Sequence, residues 1–216
     1  MSSEQASHYT VVVGADYSKL GDLALERAFQ LVQDRPDAEI HVVNVAHGYG
    51  PMVSVELGEG TETFSLDEAA AALKKHVEAR IDAWEADHGM LELSHLVTHL
   101  RVGSPAHEIA QLATDLEAEE VVVGTHGRRG VSRLLLGSVA EGVVRLAPCS
   151  VSVVRPKSAP TEPKIEPACP ECVKVRQASG GKELWCAQHL EHHARRHTYH
   201  YSSRQWGGAS RHSEIP

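Results

Sequence analysis

Val121-Val122-Val123-Gly124-Thr125-His126-Gly127-Arg128-Arg129-Gly130-Val131-Ser132-Arg133-Leu134-Leu135-Leu136-Gly137-Ser138 is the stretch on which the reading of this chain turns. Three consecutive valines bounded by a glycine have the form of a strand buried on both faces. Val139, Val143 and Leu146 then mark a helix that Gly137-Ser138 opens. Between strand and helix, Gly124 and Gly127 let backbone approach a ligand without a Cβ. At the helix start, free amides and the Ser138 hydroxyl are suited to a phosphate, and Arg128 and Arg129 supply charge. Taken alone, such a glycine pattern is also just a tight turn before a helix.

Outward from this stretch, the same alternation recurs. Thr10–Gly14 and Glu39–Ala46 are β-branched strand runs, Leu93–Val102 is a weaker one, and Ser150–Val154 is the last. Leu25, Ala28, Phe29 and Val32 repeat at helical spacing, as do Ala69, Ala72, Leu73, Val77, Ile81 and Trp84, and also Ile109, Leu112, Ala113 and Leu116. Ser104-Pro105 offers an N-cap and a proline at the first helical position. His47–Thr63 shows no clear period and reads as a surface loop. The order β-α-β-α-β-α-β-α-β predicts an α/β fold with a five-stranded, parallel, doubly wound sheet. Ligands of such sheets bind beyond the carboxyl ends of strands, where the strand order reverses.

The composition is that of an ordinary globular protein: 216 residues, 42% hydrophobic, 23% charged, formal charge −8. No apolar run approaches the ~20 residues that span a bilayer, and Met1–Thr10 has no basic segment followed by an apolar one. The expectation is a cytoplasmic protein without a membrane partner. Charge is unevenly spread. Residues 1–155 carry 12 Lys/Arg against 23 Asp/Glu, whereas residues 156–216 carry 9 against 6, together with three of the four cysteines. Residues 156–167 hold four prolines, which forbid a helix or central strand and mark a linker. The organisation expected is a domain at 1–155, a linker at 156–167, a Cys/His module at 168–200 and a disordered tail at 201–216.

With those features in place, residues 8–155 resemble the universal stress protein family. The resemblance rests on Val13-Gly14-Ala15-Asp16-Tyr17-Ser18, on Gly103-Ser104-Pro105-Ala106-His107-Glu108-Ile109, on the glycine loop, and on Pro148–Arg155. The loop matches the nucleotide signature of the family's ATP-binding branch. The resemblance implies an adenine nucleotide, with or without Mg2+, in a cleft between the first strand and Val121–Gly124. Ala15 and Asp16 would face the nucleoside, Val45 would offer backbone to adenine, and Gly124, Gly127, Arg128, Gly137 and Ser138 would hold ribose and phosphates. It also implies a homodimer paired through Ser150–Val154. Read without the family, Asp16 is equally an Asx-turn or cap residue. His126 reads as an exposed loop residue, His41, His95 and His99 as hydrogen-bonded strand residues, and Cys149 as a small buried hydrophobe. No P-loop pattern and no lysine stand in the glycine loop, and no carboxylate pair suggests a base and a metal. The expectation is a nucleotide-binding sensor or regulator, not an enzyme, with slow incidental hydrolysis left open.

In the tail, Cys169-Pro170-Glu171-Cys172 and Cys186-Ala187-Gln188-His189 place four ligands in two pairs, as tetrahedral zinc requires. Val173–Gln177 and Lys182–Trp185 around Gly180-Gly181 read as a hairpin, and Cys186–His200 as a helix, in the manner of a zinc-ribbon or treble-clef module. A redox Cys-x2-Cys or a disordered basic tail are the competing readings. A net charge of +3 over 61 residues is too weak to imply nucleic acid. A protein partner for this module is expected instead, and a zinc-dependent adaptor with a vestigial nucleotide site is the alternative reading of the whole chain.

Overall fold

Thr10–Gly14 forms β1, and its alternation settles how the layers assemble. Side chains of a strand point to opposite faces in turn. Val11 and Val13 go to one face and Val12 to the other, all fully buried, so both faces of the sheet must be covered. We describe residues 8–48, 52–57, 60–125, 136–156 and 168–191 of a computed structural model. The chain divides into two compact units, residues 1–157 and 158–216.

In the first unit β1 is followed by α1 (Lys19–Val32), β2 (Glu39–Ala46), β3 (Met52–Leu57), β4 (Gly60–Ser65) and α2 (Leu66–His88). Then come β5 (His95–Val102), α3 (Pro105–Asp115), β6 (Glu120–Gly124), α4 (Ser138–Leu146) and β7 (Ser150–Val154). The five parallel strands stand in the order β5-β2-β1-β6-β7, as the α/β expectation requires. Helices α1 and α2 cover the face of Val11, Val13, Ile40 and Val42, and α3 and α4 cover that of Val12, Val43, Val121 and Val123. The four residues whose spacing predicts α1, Leu25, Ala28, Phe29 and Val32, are all fully buried. Helix starts follow their sequence signals. Ser18 caps α1, and Ser65 with Glu68 forms a reciprocal capping box on α2.

The segment expected to be a loop at 47–63 is in part an antiparallel hairpin, with Met52 opposite Ser65 and Leu57 opposite Gly60. Its signal is a short alternation: Val53 and Val55 are buried against Ala46 and Ala69, while Ser54 between them is not. Two apolar positions are too few to register as a period, yet enough to pin a ribbon onto the end of β2.

His41, His95 and His99 are hydrogen-bonded strand residues, as expected. His41 Nδ1 lies 2.9 Å from His99 Nε2, and the two rings stack across β2 and β5. His95 Nδ1 lies 2.9 Å from Ser94 Oγ and 3.3 Å from Glu39 Oε1. Burial, then the neighbouring His41 and Arg101 charges, push the His99 imidazole below its ordinary range. A group whose folded pKa is depressed contributes stability that is complete above its unfolded pKa, about 6.5, and is lost as pH falls below it. Wild-type protein should therefore lose denaturant stability as pH falls from above that value to below it, and His99→Gln should lose less. Equal losses in the two proteins would remove His99 as the cause.

In the second unit, α5 spans Pro170–Ala178 and α6 spans Ala187–Glu191. The expected hairpin is absent: Val173–Gln177 belongs to α5. Pro170 at the first helical position drives this, since it presets the helical φ and has no N–H to lose. Gly180 and Gly181, both at positive φ, then carry the turn that follows. Residues 157–167, the helix expected beyond Glu191, and the tail at 201–216 lie outside the described residues.

Candidate functional site

The strand order reverses beside β1. From β1 the chain moves through β2 to β5 on one side, then crosses to β6 and β7 on the other. The carboxyl ends of β1 and β6, which pair directly, are therefore the switch point of the sheet. Ala15 and Asp16 leave β1 there, and Gly124 and Thr125 leave β6.

Ala15 is buried, its N–H donating to Val43 O at 2.9 Å and its carbonyl accepting from Asn44 Nδ2 at 2.8 Å. These bonds tie the turn after β1 to β2. Asp16 Oδ1 accepts from the Ser18 N–H at 3.1 Å and from its hydroxyl at 2.5 Å. Ser18 Oγ in turn accepts from the Gly21 N–H, so Asp16 steadies the cap of α1 through one of its oxygens. The Asx-turn role is real. Val45 is half-buried near the end of β2. Gly124 has a packing reason of its own, since a Cβ there would stand 2.9 Å from Leu20 Cβ and 3.0 Å from Leu20 O. The Thr125 N–H donates to Val154 O at 2.8 Å, and Thr125 O accepts from the Gly137 N–H at 2.7 Å. The two ends of the glycine loop are thereby closed on one another, and Ser138 begins α4 immediately beyond. Gly127 and Arg128 lie outside the described residues, as does His126. Among the named residues the structure thus brings Ala15, Asp16, Gly124, Gly137 and Ser138 to the carboxyl edge of the sheet.

Tyr17 follows Asp16 and has no role that its neighbours in sequence assign. It adopts φ 58°, a left-handed conformation uncommon outside glycine. Its ring meets the His76 ring edge-on at 5.0 Å and packs against both the main core and the cluster under β3–β4. Burial pushes its phenol up to about 12. His76 also lies 2.9 Å from Asp22 of α1. Tyr17 thus anchors the turn to α2 and to the hairpin, and no local pattern announces it. Cys149 is half-buried and its thiol is raised by burial, which suits an inert packing role.

In the second unit, Cys169 is the N-cap of α5 with Cys172 one turn on, while Cys186 precedes α6 with His189 three residues later. The four ligand atoms all lie within 4.8 Å of one another. Cys172 Sγ and Cys186 Sγ each lie 3.3 Å from His189 Nδ1. Zinc bonds of about 2.3 Å to sulfur and about 2.05 Å to nitrogen in a tetrahedron put S and N about 3.6 Å apart. The donor set and its spacing fit that ion, with Nδ1 as the imidazole ligand. Cys172 and Cys186 are also the two most buried side chains among residues 168–190, so the described part of this unit buries no other side chain as completely as these ligands.

Comparison with known proteins agrees with the geometry of the first unit. The model of the Universal stress protein family matches residues 9–155. Universal stress protein MJ0531 of Methanocaldococcus jannaschii is 32% identical over 148 residues, covering 67% of this chain and 81% of that protein. The putative universal stress protein SSP1056 of Staphylococcus saprophyticus is 29% identical over 177 residues, covering 80% and 98%. The solved structure of protein MJ0577 superposes with a TM-score of 0.52 at 18% identity, covering 70% of this chain and 99% of that one, a likeness of fold. With its five parallel strands, its switch point at β1 and β6 and a family match over residues 9–155, this chain belongs to the universal stress protein family.

Proposed function

We propose that the first unit binds an adenine nucleotide, ATP with or without Mg2+, at the carboxyl ends of β1 and β6, and acts as a regulator rather than an enzyme. The observation that carries this is the Gly137 N–H to Thr125 O bond at the switch point. It closes the base of the glycine loop where the first amides of α4 become free for phosphate. Ser138 and Gly137 would meet the phosphates, Gly124 the ribose, Ala15 and Asp16 the nucleoside, and Val45 the adenine. Gly127 and Arg128 are assigned on the motif alone. ATP should bind wild-type protein in calorimetry, and Gly137→Val should weaken it roughly 100-fold, about 2.7 kcal/mol, with circular dichroism unchanged. Equal affinity in a folded variant, or no binding by wild type, overturns the assignment.

A cytoplasmic location and a homodimer belong to the same reading. β7 pairs with β6 along one side, and Val151 and Val153 are only half-buried there. Pairing of two β7 strands would cover this edge. Val151→Pro should then convert a dimer to a monomer in light scattering. Wild-type protein already monomeric at micromolar concentration sinks the dimer.

The Cys/His cluster favours a second element. One zinc ion would be held by Cys169, Cys172, Cys186 and His189, in a module that serves a protein partner. If the nucleotide site proves vestigial, zinc-dependent adaptor is the remaining function. Denaturing freshly purified protein and identifying what it releases separates the two: nucleotide with zinc, or zinc alone.

A further inference from the structure

The four members of the Cys/His cluster are not equally sheltered. Cys172 and Cys186 are 2% and 9% exposed, whereas Cys169, at the N-cap of α5, is partly open to solvent. Cys169 also has its nearest sequence partner three residues away, on the same helical turn, with the two sulfurs no more than 4.8 Å apart. Such a pair reaches disulfide bonding distance, about 2.05 Å, through side-chain rotation and a small shift of the helix start. Metal-bound thiolates remain nucleophilic toward peroxides.

We propose that Cys169 is an oxidation site for hydrogen peroxide and small hydroperoxides, and that its reaction expels the metal and unfolds the second unit. This rests on the zinc reading given above. Cys169 thiolate attacks the O–O bond and becomes a sulfenic acid, while the departing hydroxide takes a proton to give water. Cys172 thiolate then attacks the Cys169 sulfur and displaces hydroxide, which takes a second proton. Two thiolates are oxidised by two electrons to one disulfide, and one hydrogen peroxide is reduced to two waters. Zinc is left with Cys186 and His189 alone, fewer than the four ligands of a closed site, and departs. The consequence follows from burial. Among residues 168–190 the most buried side chains are the ligands Cys172 and Cys186, which makes the metal the centre that α5 and α6 fold around. The device is reversible, since a dithiol reductant and zinc regenerate the site.

The test uses the full chain, purified without chelator, in a Cys149→Ser background so that every remaining thiol belongs to the cluster. Zinc is counted first. Hydrogen peroxide is then added with a zinc-sensitive dye, and thiols are alkylated and mapped by mass spectrometry. The expected result is one zinc released per chain as three free thiols fall to one, with a Cys169–Cys172 link that dithiothreitol reverses. Protein that carries no zinc at the outset overturns the zinc reading and this proposal with it. Protein that carries zinc and keeps it under peroxide, or that links Cys172 to Cys186, overturns the proposal and leaves the zinc reading standing.

Discussion

Cys172→Ser should leave the purified protein without stoichiometric zinc and with residues 168–191 unfolded. The serine hydroxyl is not a thiolate, and its oxygen cannot reach a metal about 2.3 Å from the former sulfur position without drawing α5 inward. Elsewhere such a loss can be absorbed by packing; here the most buried side chains among residues 168–190 are Cys172 and Cys186 themselves. Metal binding to such a module is its folding energy, about 10–16 kcal/mol in zinc peptides at neutral pH. Three thiolates and a divalent ion leave the site at one net negative charge, which Arg176 on α5, its Nε 3.4 Å from Cys172 O, can offset. Because protons compete for every ligand, zinc should also leave wild-type protein as pH falls. The measurement is elemental analysis beside amide hydrogen exchange. Protection should vanish from 168–191 and persist in β1, β2 and β6, whose core is built on other residues. A serine variant that retains all its zinc would show that the four-ligand site is wrong.

Phe29→Ala should cost about 3–5 kcal/mol, against a total stability of about 5–15 kcal/mol for a domain of this kind. Phe29 is fully buried on the inner face of α1, and its ring centroid lies 5.7 Å from that of Trp84 on α2. Truncation therefore removes transfer energy, opens a cavity and loses an aromatic contact at the seam between two helices. At this size each kcal/mol shifts the melting point by ~2–4 °C, so a fall of roughly 6–20 °C is expected in calorimetry. Val102→Ala serves as the control, since that side chain at the end of β5 is 41% exposed and should change stability by less than about 0.5 kcal/mol. A Phe29→Ala loss below about 1 kcal/mol would mean the α1–α2 seam is not the core we describe.

Most of the first unit is legible from residues taken in order, and the reason is period. Helix α1 announces itself because Leu25, Ala28, Phe29 and Val32 must share one face, and β1 because a strand covered on both sides carries valine at successive positions. Metal-ligand spacing is equally local. It groups Cys169, Cys172, Cys186 and His189 by itself, and the fold brings their ligand atoms within 4.8 Å of one another. The β3–β4 hairpin is not legible in the same way: its alternation is brief, and only the end of β2 and the Ala69 turn of α2 give Val53 and Val55 somewhere to bury. The insert between the ligand pairs misleads because Val173 and Val175 suit a strand, while Pro170 at the first turn commits the segment to a helix. Sequence by itself determined most of the strands and helices of the first unit and grouped the four Cys/His residues that the fold brings together, since those depend on neighbours one turn or one pleat away. Tertiary structure alone decided that the β3–β4 hairpin packs against the end of β2, that Thr125 and Gly137 close the loop, and that Tyr17 locks the turn after β1 onto α2. Those contacts join residues distant along the chain, and burial of surface rather than any local preference selects them.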